Sequence, residues 1–362
     1  MVLICIVGAD VGPPNTRDRK DCRKVILFCH LTNLTDLYTV LLDNHERKIN
    51  YLRLAVTDRC NLRCFYCMPE DGIDWLERKE LMTYEEMLRV CSLLVKMGIE
   101  KIRITGGEPF VRKDLMLFLS ALSKLDGLKE LTLTTNGVLT APLVPELKKL
   151  GIRSVNLSLD TVDRDRFFAI TRRDELPQVL NTMDQLLHHD IEVKLNAVVM
   201  EGKNTEDIIP LVQLTKDLPV SVRFIEEMPF NGTGTYHPMN WDYVRILQEI
   251  KGHYPSVQKM QDAPFSTSCN YHIPGHKGSI GIIAAYTRSF CGSCNRIRIT
   301  PQGVMKTCLY DNGVFNIKDM MRNGMSDEQV QFATLNALGN RAKDGFEAEK
   351  NNIHESMAAI GG

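Results

Sequence analysis

Between residues 51 and 228 the chain switches repeatedly between short runs of apolar–polar alternation and longer amphipathic stretches. The short runs, over 51–57, 101–105, 128–135, 154–160, 192–200 and 220–228, have the period of two that marks a β-strand with one covered face. The stretches between them read as helices. One opens at Thr83, where Thr83 and Glu86 have the spacing of a capping box and Gly98 is placed to stop it. Another is predicted over 113–125. Strand and helix thus alternate through about six βα units, which predicts an α/β fold with a parallel sheet curved into an incomplete barrel.

The two faces of these strands differ in kind. Leu52, Leu54 and Val56 share one face of the first strand and leave Arg53 on the other; Ile102 and Ile104 leave Arg103 and Thr105. Leu131 and Leu133 oppose Thr132 and Thr134, and Leu157 and Leu159 oppose Asn156, Ser158 and Asp160. Val193, Leu195 and Ala197 oppose Lys194 and Asn196. Helices packed outside a barrel need the apolar face, so the polar side chains are expected to point inward. Such barrels are ordinarily filled with Val, Ile and Leu, and a buried Arg is costly without a counter-charge. The pattern predicts a lumen built for a large, anionic, polar ligand. Solvated faces of an open antiparallel sheet would alternate in the same way, but the intervening helices argue against one.

Beyond Met228 the rhythm breaks at Pro229, Asn231-Gly232 and Gly234, which divides a barrel region, 43–230, from a second region, 231–362. The second region reads as a helix near 242–250, a loop-rich stretch to 277, strands around 279–287 and 296–300, and helices beyond 316. Residues 1–42 stand apart as an extension of unassigned purpose. Their basic residues, Arg17, Arg19, Lys20, Arg23 and Lys24, are interrupted by Asp18 and Asp21, unlike a transit peptide, and a secretory signal is not expected.

Length and charge narrow this picture. A chain of 362 residues accommodates one large barrel with an appended region. Forty-four basic against 45 acidic residues leave a net charge of −1, which argues against a general nucleic-acid surface. Any polyanion must be met by locally placed Arg and Lys. No apolar run approaches the roughly 20 residues needed to span a bilayer, so no membrane association is expected. Of the 11 cysteines, six form two ligand-like triplets, Cys60, Cys64, Cys67 and Cys291, Cys294, Cys308. Cys5, Cys22, Cys29 and Cys269 show no such spacing, and Cys91 reads as a helix-face core residue. This usage suits metal binding in a reducing, cytoplasmic compartment.

The first triplet follows the first strand with the spacing Cx3Cx2C and Tyr66 just before the last cysteine. Closed zinc and iron–sulfur sites normally take four protein ligands, so three imply a metal centre with one open position. A zinc knuckle completed by a distant ligand is the alternative. The turn Gly106-Gly107-Glu108-Pro109 sits where a barrel strand ends, the face that carries catalysis in such folds. The second triplet again supplies three thiolates, with thirteen residues between Cys294 and Cys308. A second cluster with an open iron competes there with a zinc site borrowing Cys269 or His272. Arg296 and Arg298 alternate with Ile297 and Ile299, so both project from one strand face beside that triplet, suited to phosphate or a purine edge. Arginines on a solvated strand would look the same.

The Cx3Cx2C loop with its aromatic resembles the signature of the radical S-adenosylmethionine (SAM) enzymes. There, three thiolates hold a [4Fe-4S] cluster whose fourth iron takes the amino and carboxylate groups of SAM, and reductive cleavage of the sulfonium yields a 5′-deoxyadenosyl radical. With the motifs at 101–109, 133–137, 155–160, 223–226, 290–298 and 360–362, the chain is similar from about Leu42 to its end to the GTP 3′,8-cyclase family of molybdenum cofactor biosynthesis.

That resemblance implies a (βα)6 barrel closed by the C-terminal region, with two [4Fe-4S] clusters at opposite ends of the lumen and GTP between them. Cys60, Cys64 and Cys67 would hold the first cluster, and Cys291, Cys294 and Cys308 the second. Tyr66, Gly107, Ser158 and Met228 would contact SAM, while Arg53, Arg103, Thr134, Lys194, Arg296 and Arg298 would surround GTP. Arg53 and the terminal Gly361 and Gly362 would act in catalysis. Hydrogen abstraction from ribose C3′ and attack on guanine C8 would give 3′,8-cyclo-7,8-dihydro-GTP. A reductant protein, a downstream cyclic pyranopterin monophosphate synthase and a second copy of the chain are the implied partners. Two other readings compete: a peptide-modifying radical SAM enzyme, which usually carries more C-terminal cysteines, and a non-enzymatic iron–sulfur carrier or sensor, which needs no polar lumen.

Overall fold

The alternation is realised in six strands, which the computed structural model places at β1 (Tyr51–Ala55), β2 (Lys101–Thr105), β3 (Glu130–Thr135), β4 (Ser154–Ser158), β5 (Glu192–Val199) and β6 (Val220–Glu226). The structure describes residues 40–69, 73–228, 240–349 and 357–360. Cys5, Cys22 and Cys29, and the terminal Gly361 and Gly362, lie outside the described residues. Each strand pairs in parallel with the next. Between them run α1 (Tyr84–Lys96), α2 (Leu115–Leu122), α3 (Val144–Lys149), α4 (Arg164–Thr171), α5 (Leu176–His188) and α6 (Ile208–Asp217).

The apolar strand faces pack outward against these helices. Leu52, Leu54, Ile102, Ile104, Leu133, Val155, Leu157, Val193 and Leu195 join Val90, Leu94, Leu119, Val179, Leu186 and Leu211 in one core. Each such side chain contributes about 1.5–3 kcal/mol by leaving water. Cys91 lies in the same core, as its helix-face position predicts. The start of α1 follows the sequence signal: Thr83 Oγ1 accepts from Glu86 N at 3.2 Å and Glu86 Oε2 accepts from Thr83 N at 2.7 Å. The helix expected over 113–125 is shorter, because Asp114 adopts φ 62° and delays the first turn to Leu115.

The second region continues through α7 (Tyr243–His253), β7 (Gln258–Lys259), β8 (Ser268–His272), β9 (Ser279–Ile283), β10 (Arg296–Ile299), β11 (Val304–Lys306) and β12 (Phe315–Asn316). Then follow α8 (Ile317–Arg322), α9 (Asp327–Gly339), α10 (Gly345–Glu349) and α11 (Met357–Ile360). The stretch read as loop up to 277 contains β7 and β8, which pair antiparallel. All strands form one sheet in the order β12-β11-β10-β1-β2-β3-β4-β5-β6-β9-β8-β7. The C-terminal region therefore adds strands to both edges, β10 parallel to β1 and β9 parallel to β6. Among the described residues the outermost strands do not pair with each other, so the sheet stays open rather than sealing into a barrel. No helix of the described residues is long and apolar enough to cross a membrane.

Glu226 joins the two regions. Fully buried, its carboxylate accepts from the backbone N–H groups of Tyr243 (2.8 Å), Tyr286 (2.9 Å) and Thr287 (2.8 Å) and from Thr287 Oγ1 (3.0 Å). Removing it strands three backbone donors, each costing about 1–3 kcal/mol when left unsatisfied. Glu226→Ala is expected to lower unfolding stability by roughly 3 kcal/mol or more in denaturant titration. A loss below about 1 kcal/mol would show that water or another group replaces the carboxylate.

Candidate active site

The first cysteine loop is wedged between two elements. Gly107 N and Glu108 N donate to Thr57 O and Arg59 O, both at 2.8 Å, while Arg63 N and Phe65 N donate to Thr171 O and Ile170 O at the end of α4. A Cβ on Gly106, whose φ is +148°, would stand 2.5 Å from Thr57 O, and one on Gly107 would stand 2.6 Å from Asp58 O. The two glycines thus let β2 press against the cysteine loop. Glu108, fully buried, braces the next turn by accepting from Asn136 N (2.7 Å) and Thr135 Oγ1 (2.9 Å). Burial pushes its carboxyl up to about 7. Tyr66 donates its hydroxyl to Asp160 Oδ2 at 2.8 Å, and Asp160, raised to about 6 by burial, also accepts from Val198 N.

Both triplets line a single cavity of about 620 Å³. Parallel register arranges its cations in rows across the sheet. Arg296, Tyr51, Lys101 and Glu130 stand side by side in one row, and Arg298, Arg53, Arg103 and Thr132 in the next. On the other half, Asn156 pairs with Lys194, and Ser158, Asn196 and Arg223 form a third row. All of these except Thr132 line the cavity, as do Thr134, Met228 and Arg288.

Crowding of like charge has measurable consequences. Burial, then Arg53 and Arg296, lowers Arg298 to about 9; burial and Arg103 lower Arg223 to about 10. Burial alone would raise the Tyr51 phenol, but Arg103, Arg53, Arg296 and Lys101 outweigh it and bring it down to about 7. Among the described residues, nine buried polar atoms of the lining have no hydrogen-bond partner: Arg53 Nε, Thr134 Oγ1, Asn156 Oδ1, Asn196 Oδ1, Arg223 Nε, Arg288 Nε and Nη1, Asn295 Oδ1 and Arg296 Nε. Native proteins leave few such atoms unsatisfied, and here they converge on one space.

The donor sets fit iron–sulfur clusters. Burial, with Glu108, pushes Cys60 up to about 11, and burial with Asp160, Cys67 and Cys60 drives Cys64 well above the ordinary thiol value. Without a metal Cys60 and Cys64 are therefore neutral thiols, and a cationic cluster would displace their protons on binding. Among the described residues no three Cys, His, Asp or Glu converge to hold a single metal ion.

The sequence-predicted residues Arg53, Tyr66, Arg103, Gly107, Thr134, Ser158, Lys194, Met228, Arg296 and Arg298 all meet at this cavity. Gly361 and Gly362 lie outside the described residues, although Ile360 just before them is buried against Tyr310. Sequence reasoning missed Lys101 and Arg223, which the same two-residue alternation places on the inward face. It also missed Tyr51, which begins the first strand, and Arg288, which sits in an irregular segment.

The chain matches the Radical SAM superfamily over residues 54–215 and Molybdenum Cofactor Synthesis C over residues 220–346. It is 40% identical over 331 residues to the GTP 3′,8-cyclase of Peptoclostridium acidaminophilum, covering 90% of this chain and all of that one. It is 40% identical over 293 residues to the mitochondrial GTP 3′,8-cyclase of Arabidopsis thaliana, covering 81% of this chain and 75% of the relative. The chain belongs to the GTP 3′,8-cyclase family. Radical SAM enzymes use a [4Fe-4S] cluster with SAM, and the cyclase family carries a second cluster, so the two triplets match its cofactors in number. Molybdenum cofactor biosynthesis protein 1 of Dictyostelium discoideum is also 40% identical, over 304 residues and 83% of this chain; the chain spans only 48% of that relative's length. The crystal structure of Streptococcus suis SuiB shares the fold, with a TM-score of 0.57 at 17% identity over 76% of this chain and 65% of SuiB.

Tyr51 offers a direct test of this electrostatic arrangement. Its depressed pKa means that the phenolate stabilises the folded state, a contribution gained as pH rises from about 7 toward 10 and lost as pH falls through about 7. Carbon-13 NMR of labelled tyrosine in the cluster-free chain should show one ring titrating near 7, absent from Tyr51→Phe. Every tyrosine titrating near its ordinary value of about 10 would mean the cations are not gathered around it.

Proposed function

We propose that this chain converts GTP to (8S)-3′,8-cyclo-7,8-dihydroguanosine 5′-triphosphate, as a radical SAM lyase of molybdenum cofactor biosynthesis. The observation that carries the reading is the single cavity, walled by rows of cations with unpartnered donors, that runs between the two cysteine triplets. Its volume is about 620 Å³, within the roughly 300–1,000 Å³ of small-molecule sites.

Cys60, Cys64 and Cys67 hold the first cluster, and Cys291, Cys294 and Cys308 the second. Bound at the first cluster, SAM would supply the radical chemistry directed at ribose C3′. Tyr66, Gly107, Ser158 and Met228 contact SAM, with Tyr66 oriented by its bond to Asp160. Arg53, Arg103, Thr134 and Lys194, with Arg296 and Arg298 on the side of the second triplet, hold GTP and neutralise its phosphates. Fixing the nucleotide between the triplets brings guanine C8 over the ribose, and enclosure keeps water from C3′ while the C3′–C8 bond forms. Gly361 and Gly362 keep their catalytic role on the family resemblance alone.

The reading extends to regions and partners. Residues 43–230 act as the barrel region and 231–362 as the region of the second cluster, a division supported by the separate family matches. Residues 1–42 remain an extension without an assigned role. A reductant protein delivers two electrons, one for SAM cleavage and one that, with a proton, quenches the purine radical left once the C3′–C8 bond forms; the product passes to a cyclic pyranopterin monophosphate synthase, and the chain works as a cytoplasmic homodimer.

Anaerobic incubation of the cluster-loaded chain with SAM, GTP and a reductant should yield the 3′,8-cyclised nucleotide; SAM cleavage without it would exclude the assignment. Arg53→Ala and Arg298→Ala should each retain both clusters while weakening GTP binding roughly ten- to a hundredfold, the cost of one charge-assisted contact. Normal GTP affinity in either variant would remove that residue from the binding site.

A further inference from the structure

Arg341 lies just past the C-terminus of α9, where no periodicity or motif marks it, yet it is only 4% exposed. Its guanidinium is held by four bonds. Nη1 donates to Asp43 Oδ2 and to Cys294 O, both at 3.1 Å; Nη2 donates to Cys294 Sγ at 3.1 Å and to Arg296 O at 3.0 Å. Asp43 is itself fixed. Its carboxylate accepts from Arg47 Nε at 2.6 Å and from the backbone N–H groups of His45 and Arg47. Arg47 in turn donates to Cys291 O at 3.0 Å and to the carbonyls of Ala342 and Lys343. Two buried guanidiniums and one carboxylate thus clamp the Cys291–Cys294 turn and leave one net positive charge against Cys294 Sγ. A buried charge of that kind is costly without an opposite one nearby. The first triplet has a weaker counterpart, the neutral Asn136 Nδ2 at 3.6 Å from Cys60 Sγ.

We propose that Arg341 is a positioning residue that raises the reduction potential of the second cluster by donating a charged hydrogen bond to Cys294 Sγ, and that Asp43 and Arg47 hold it there. The inference rests on the reading that Cys291, Cys294 and Cys308 bind a [4Fe-4S] cluster. N–H donors to cluster sulfurs and nearby positive charge both favour the reduced, more negative form. At the first triplet Cys60 Sγ accepts instead from the neutral Asn136 amide. An electron in the chain then favours the second cluster more than ligand geometry alone dictates.

The test is a redox titration monitored by electron paramagnetic resonance on the reconstituted full chain, with a Cys64→Ala background to isolate the second signal. Iron content is measured in parallel. Arg341→Met removes donor and charge; at fixed potential the reduced-to-oxidised ratio of the second cluster should fall about tenfold, or 59 mV for one electron. In the chain that keeps Cys64, the first cluster should not move. Arg341→Lys should recover part of the shift. Should Arg341→Met fail to hold the cluster, Asp43→Asn decides, because it leaves the guanidinium beside the sulfur without its counter-charge and should shift the potential upward. An intact second signal with an unmoved midpoint in Arg341→Met, or in Asp43→Asn where that variant decides, overturns the proposal alone. A wild-type chain that binds about four irons rather than about eight overturns the cluster reading with it.

Discussion

Like charge held side by side in a parallel sheet is the constraint on which the rest of this structure depends. Arg53 faces Arg298 on one neighbouring strand and Arg103 on the other, and Tyr51 stands between Arg296 and Lys101 in the adjacent row. Directly opposed like charges destabilise a sheet, and burial compounds the cost. Tyr51 offsets part of it by giving up its proton near neutrality. Glu130 and Glu192 pair with Lys101 and Lys194, and a bound polyanion would offset charge left on the arginines and satisfy their unpaired guanidinium nitrogens.

This arrangement exists only because the C-terminal region is built into the same sheet. β10 lies parallel to β1, which brings Arg296 and Arg298 alongside Arg53, and the chain just before β10 carries Cys291 and Cys294 to the edge of the cavity. The other edge is fastened by β9 against β6, with Glu226 tying the end of β6 to the start of α7 and to residues 286 and 287. Beside β10, Asp43, Arg47 and Arg341 lock the second cysteine turn to residues 40–49. Two cysteine triplets distant in sequence thereby share one cavity.

The inward polar face was legible residue by residue, since the side-chain period of a strand is two and the helices on the outside demand one apolar face. Cysteine spacing marked both loops. Pairing between distant strands left no such trace, because the residues of β10 that meet β1 are separated from it by more than two hundred others and carry only their own alternation. The β7–β8 pair was hidden for a different reason: in Ser-Cys-Asn-Tyr-His only Cys269 and Tyr271 form an apolar face, too short a run to stand out from the polar stretch around it. Arg288 and Arg341 lie in irregular backbone, where side-chain direction depends on tertiary contacts rather than on period. Tyr51 was hidden by its class, an aromatic ring whose hydroxyl matters here more than its surface.

The central claim is that this cavity holds GTP with its ribose toward the first cysteine triplet. The most direct measurement uses GTP deuterated at C3′, incubated anaerobically with the cluster-loaded chain, SAM and a reductant, followed by mass spectrometry of the 5′-deoxyadenosine released. The account predicts that the deuterium moves into 5′-deoxyadenosine and is missing from that position in the cyclised nucleotide. Unlabelled 5′-deoxyadenosine formed alongside intact, fully deuterated GTP would contradict it.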